Sequence, residues 1–188
     1  MTDSGPPGGL VPRDKQWLER LFRDHHGQVL AYARRRVGTE ADDIVSDVFA
    51  TAWQRREAVP DDALPWLYRT AGNHILHAHR ASARRARTVS AAPLEHGGSD
   101  FAAGADEKDL IMRVLRDLSE RDQEILRLWA WEHLELTQIS DVLGCSSVAA
   151  RVRLHRATRR LQTRLSAADP DSAPARPRLP STPLMIKD

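Results

Sequence analysis

The 188-residue chain has a single cysteine, only 5% aromatic residues and few β-branched residues. Its one thiol, Cys145, has no intrachain partner, so no internal disulfide staples the fold, which fits a reducing compartment. Eleven Val and six Ile stand against 25 Ala and 21 Leu. That leaves little strand-forming material and argues for an all-α protein. No apolar run approaches the ~20 residues that a membrane span needs, so no membrane insertion is expected. Met1–Pro12 is rich in Gly and Pro without an apolar stretch and reads as a disordered leader, not a secretory signal. There is no Gly-rich phosphate loop, no nucleophile beside a base and no metal-ligand spacing. The sequence therefore calls for no cofactor, no metal and no catalytic centre.

What is present is charge, and it is segregated. Charged residues make up 29% and hydrophobic ones 41%, as in a folded globular chain. Residues 13–87 carry a net +4, residues 88–135 a net −6 and residues 145–165 a net +6 with six Arg and no acid. Blocks of that size suggest a nucleic-acid partner and a second partner that tolerates acid.

Gly97, Gly98, Ser99 and Gly104 fall in a stretch without apolar periodicity. The stretch reads as a linker over 88–105 between two small helical domains, 13–87 and 106–166. Pro170, Pro174, Pro177, Pro180 and Pro183 make 167–188 a disordered Pro-rich tail. Four helices are expected in the first domain. The first spans 14–25, with Trp17, Leu18, Leu21 and Phe22 on one face, and the second spans 28–37 and ends at Gly38. A third is opened by a box-like Thr39–Asp42 cap and striped by Ala41, Ile44, Val45, Val48, Phe49, Ala52 and Trp53. The fourth begins near Pro65. In the second domain Ser119 caps a helix through Trp129, Thr137 a short helix to Leu143, and Ser146 a long one through Leu165. A short helix, a turn with Gly144 and a long basic helix outline a helix-turn-helix.

On the last helix Ala150, Leu154, Ala157, Leu161 and Leu165 fall within an arc of about 80°. Arg153, Arg156 and Arg160 lie opposite, and Arg151 flanks them. Small residues at its start allow close approach to a groove, and Arg suits guanine edges and phosphates, while Val152 suits a thymine methyl. Six Arg on a merely solvated surface helix is the plainer alternative; the preceding turn and the unbroken absence of acid over 142–168 weigh against it. From Arg69 to Arg87 five Arg and no acid accompany Trp66, Tyr68, His74, His77 and His79. Basic side chains beside aromatics suit single-stranded nucleic acid. The carboxylates Asp42, Asp43 and Asp47 with Ser46 form an acid face on the third helix, suited to protein docking.

Two motifs resemble the extracytoplasmic-function (ECF) sigma factors of the bacterial sigma-70 family. Ala41-Asp42-Asp43-Ile44-Val45-Ser46-Asp47-Val48-Phe49 with Trp53, then Trp66-Leu67-Tyr68-Arg69-Thr70-Ala71-Gly72-Asn73 and Arg80, is similar to region 2. Leu118–Leu126, Ile139–Ser146 and Arg151–Ala157 are similar to region 4. The resemblance implies two helical domains, a four-helix region 2 and a helix-turn-helix region 4, that together direct promoter-specific transcription initiation without chemical catalysis. Asp42, Asp43, Ser46, Asp47 and Trp53 would then dock on core RNA polymerase. Trp66, Arg69, Asn73, His74, His77, Arg80 and Arg84, with the loop 60–63, would read the melted −10 element. Ser146, Ser147, Ala149, Arg151, Val152, Arg153, His155 and Arg156 would read the duplex −35 element. An anti-sigma partner and a cytoplasmic setting are implied with them. The competing reading is a helix-turn-helix regulator with an N-terminal dimerisation or sensing domain. Such a protein needs neither the acid helix nor the basic aromatic one.

Overall fold

The computed structural model describes residues 12–88 and 105–168. Nearly all of the expected leader, most of the linker and most of the tail lie outside them. Every regular element among the described residues is helical: α1 (Lys15–Val37), α2 (Ala41–Gln54), α3 (Ala63–Thr88), α4 (Ala105–Arg116), α5 (Glu120–Ala130), α6 (Leu136–Leu143) and α7 (Ser147–Ala168), with two short 3-10 turns flanking α2.

Helices α1 to α3 pack mutually around Leu21, Val29, Ile44, Val48, Ala52, Leu67 and Ala71. Asp14 caps α1 by accepting the Trp17 N–H at 3.0 Å. The two helices expected over 14–25 and 28–37 are one: α1 runs straight through Gly27. Leu18, Leu21, His25, Val29, Tyr32 and Arg36 continue a single three-and-four spacing across the glycine, so burial outweighs its ~1 kcal/mol helix penalty. Gly38 ends the helix at φ +61°, a conformation that glycine adopts without a Cβ clash. The Thr39 capping box is absent, because residues 38–40 form a 3-10 turn that leads into α2 without a side-chain cap. The first domain thus has three helices, not four.

In the second domain α7 crosses α4, α5 and α6, burying Ala150, Leu154 and Ala157 against a core that includes Leu115, Ile125, Leu128 and Ile139. Helix α4, not expected from the linker reading, begins where that segment was to end. Ser119 caps α5 as expected, at 3.3 Å from the Asp122 N–H. Buried Asp122 is held by Arg160 Nη1, which donates to both carboxylate oxygens at 3.0 and 2.8 Å and ties α5 to α7. The N-cap of α6 lies two residues before the expected Thr137: it is Glu135, whose N–H donates to Gln138 Oε1 at 3.1 Å. Gly144, left-handed at φ +61°, closes α6, and Ser146 Oγ accepts the Ala149 N–H at 3.2 Å to open α7. The buried side chains of both domains form one contiguous cluster, with α3 packed on α6.

Candidate nucleic-acid interface and docking face

Three surfaces collect most of the residues singled out above; Trp66, His74 and Ala149 are half-buried at their margins. On α2, burial of Ile44, Val45, Val48 and Phe49 turns Asp42, Asp43, Ser46, Asp47 and Trp53 outward. Ser46 Oγ donates back to the Asp42 carbonyl at 2.9 Å, Arg34 approaches Asp42 at 3.9 Å, and Arg56 lies 5.0 Å over the Trp53 ring. A residue the sequence reading placed in the core joins this surface. Phe22 is 45% exposed and packs its ring 4.8 Å from Phe49, so an apolar groove runs between α1 and α2 beside the carboxylates. Helical position gives no signal for this: at about 100° per residue Phe22 falls between the buried Val29 and Ala33, and only tertiary packing leaves its ring uncovered.

On α3, at about 100° per residue, Trp66, Arg69, Asn73, His77, Arg80 and Arg84 fall within an arc of about 80°. His74 leaves that face. Its Nε2 lies 3.0 Å from Thr51 Oγ1 and its Nδ1 3.9 Å from Asp47, so it joins α3 to α2. Among the described residues no three His, Cys, Asp or Glu side chains stand together as a metal site. The Arg69 and Asn73 edge of that face borders a cleft of about 770 Å³ between the domains, whose lining also includes Tyr32, Leu76, Arg116 and Leu143.

On α7, Arg151, Val152, Arg153, His155 and Arg156 are exposed, and Ala149 is half-buried beside them. Ser146 and Ser147 are turned to structural contacts: Ser146 caps the helix and Ser147 Oγ lies 3.3 Å from Ser140 Oγ. The side chain missing from the expected set is Val148, 73% exposed at the tip of the helix. Arg160, grouped in sequence with the outward arginines, instead serves Asp122.

Titration is perturbed where the domains meet. Burial, reinforced by the Glu124 charge, pushes the Tyr32 phenol well above its ordinary range, and burial followed by the Glu132 charge pushes Tyr68 up to about 12. Burial and the neighbouring Arg36 charge lower Arg127, whose guanidinium donates to Gln123 at 2.9 Å.

Two family models match separate parts of the chain. Residues 21–85 match the family model of sigma-70 region 2 and residues 108–161 that of sigma-70 region 4. The ECF RNA polymerase sigma factor SigL of Mycobacterium tuberculosis is 30% identical over 165 residues, covering 84% of this chain and 93% of the relative. The RNA polymerase sigma factor NccH of Alcaligenes xylosoxydans xylosoxydans is 28% identical over 184 residues, covering 89% and 99%. The fold is similar to the sigma factor RpoE in its complex with the anti-sigma factor NepR from Bartonella quintana, with a TM-score of 0.67 at 18% identity over 82% of this chain and 99% of that one. It is also similar to CnrH in complex with the cytosolic domain of CnrY, with a TM-score of 0.57 at 23% identity over 85% and 92%.

Proposed function

This chain belongs to the sigma-70 family, in its extracytoplasmic-function group, and directs promoter-specific transcription initiation as a sigma factor; we propose that it does so through the three surfaces just described. The acid face of α2, with Trp53 and the adjoining Phe22 groove, docks on core RNA polymerase. The Trp66–Arg84 face of α3 takes the melted −10 strand, its aromatic ring stacking bases and its arginines neutralising phosphates. The outward face of α7 enters the major groove at the −35 element, with Arg151, Arg153 and Arg156 as the charged contacts and Val148 and Val152 as apolar ones. The chain performs no bond chemistry itself; polymerase supplies it. No helix among the described residues is long and apolar enough to cross a membrane, and we place the protein in the cytoplasm with its polymerase. RpoE and CnrH, similar in fold, are solved with NepR and with the cytosolic domain of CnrY. On that likeness an anti-sigma protein is a partner for this chain too.

The observation that carries the reading is the separation of opposite charge onto different helix faces: exposed carboxylates on α2, exposed arginines on α3 and α7. A single nucleic-acid partner would leave the first surface without a use. The test is a pull-down with bacterial core RNA polymerase, followed by transcription from a pool of genomic fragments. Stable binding with new, discrete start sites is the expected result. Absence of polymerase binding, with dimeric binding to duplex DNA, would overturn it in favour of a helix-turn-helix regulator.

A further inference from the structure

The cleft of about 770 Å³ between the domains has the size of a small-molecule site. Its lining carries five arginines, Arg35, Arg36, Arg69, Arg116 and Arg127, against two glutamates, Glu120 and Glu124. Carboxylates account for two of the five cations. Arg36 donates to both oxygens of Glu124 at 2.9 and 3.1 Å and to Glu132 at 3.1 Å, and Arg35 pairs with the same Glu132.

The other three are left over. Among the described residues no carboxylate lies within ion-pair distance of Arg69, Arg116 or Arg127. Arg127 is half-buried, and its guanidinium donates to the neutral Gln123 side chain at 2.9 Å. Burial and then the Arg36 charge lower its pKa, and Glu124 and Glu132, already engaged by Arg36, do not offset that. It is a cation short of negative charge. Gln123 donates in turn to the Arg116 carbonyl at 3.1 Å, so Arg127, Gln123 and Arg116 follow one another along the wall formed by α5 and the end of α4. Arg69 borders the cleft from α3 and donates to the Asp141 carbonyl at 3.4 Å.

The cleft is apolar in part as well. Five large apolar side chains stand exposed among the described residues. Phe22 and Trp53 flank the α2 groove, and Val148 and Val152 lie on α7. The fifth, Leu76, is 46% exposed and opens onto the cleft beside the partly buried Met112. Unpaired guanidiniums and an uncovered apolar surface in one cavity match a ligand with a phosphate end and a flat apolar end. A guanidinium fork meets phosphate oxygens in two parallel hydrogen bonds, and the face of a base removes the apolar side chains from water.

We propose that the cleft between the domains is a binding site for a nucleoside di- or triphosphate. Arg116 and Arg127 hold the phosphates, Arg69 adds charge from α3, and Leu76 and Met112 receive the base. Arg116 and Arg127 belong to neither the polymerase nor the promoter surfaces, so the site does not rest on the sigma assignment.

The test is calorimetric titration of the full chain with ADP, GDP and pyrophosphate. Saturable one-to-one binding of a nucleotide, tighter than that of pyrophosphate, is expected. Arg116→Gln with Arg127→Gln should weaken it ~10–100-fold through the lost charge-assisted hydrogen bonds. Arg116 is exposed, so Arg116→Gln alone, at ~10-fold, tests the site even where loss of Arg127 disturbs packing. Leu76→Ala should weaken nucleotide binding ~5-fold and leave pyrophosphate unchanged. Arg80→Ala on α3 and Arg153→Ala with Arg156→Ala on α7 should not alter nucleotide affinity. No saturable binding by ~1 mM nucleotide, or unchanged affinity in Arg116→Gln, would overturn the site. So would pyrophosphate binding as tightly as ADP and GDP, or a loss confined to the α3 and α7 variants, which would place the phosphates on the DNA-facing arginines.

Discussion

Arg156 and Arg160 sit one turn apart on α7 and face different chemistry. Arg160 closes on the buried Asp122 carboxylate, while Arg156 projects outward with Arg153. Arg160→Ala should therefore cost ~1–3 kcal/mol of stability by leaving a buried acceptor unpaired, and thermal melting measures it. Arg153→Ala with Arg156→Ala should leave the melt within ~0.5 kcal/mol per site but weaken promoter-dependent transcription, with a shallower salt dependence. Normal promoter output from that double variant removes α7 as the reader. The two tyrosines of the chain report on the seam between domains. Tyr32 stacks on Tyr68 at 4.7 Å, and both phenols are held neutral by burial. A phenol whose folded pKa is raised contributes stability that is complete below its unfolded value and lost as pH climbs through the folded one. For Tyr68 that window runs from 10.0 to about 12. Phenolate absorbance in the native protein should thus appear late, together with alkaline unfolding. Glu124→Gln should bring the Tyr32 step to lower pH, and an ordinary tyrosine titration in the native protein would contradict the buried seam.

At the scale of elements, the continuity of α1 and the acid face of α2 each yield a test. Nothing lies within 4 Å of a Cβ on Gly27, and the helix passes through it without a bend residue. Gly27→Ala should stabilise the protein by ~0.5–1 kcal/mol, whereas two helices broken at Gly27 would be indifferent or harmed. Denaturant midpoints decide between them. Asp43→Arg with Asp47→Arg should reduce polymerase binding and leave the melt nearly unchanged, because both side chains face solvent on α2. Undiminished binding would move the docking face elsewhere. The third and fourth expected helices were legible because their apolar stripes repeat cleanly. The break in α1 was over-read because a glycine weighs heavily in local propensity and only packing reveals that the stripe crosses it. Helix α4 was missed because a linker composition runs up to its first residue.

For the whole molecule, the two domains meet at a seam in which Arg36 of α1 donates to Glu124 of α5 at 2.9 and 3.1 Å and to Glu132 at 3.1 Å, and Arg35 pairs with the same Glu132. Residue pattern by itself determined the helical class, the split into two domains, the helix-turn-helix, and the separation of acid and basic faces. These follow from periodicity, capping chemistry and charge, all local along the chain. Tertiary structure alone decided which arginines are structural, that Phe22 and Val148 stand in solvent, and that Arg35 and Arg36 meet Glu124 and Glu132. The ion pairs of that seam join residues 88 to 97 positions apart, and no local period records which distant charge a side chain will meet.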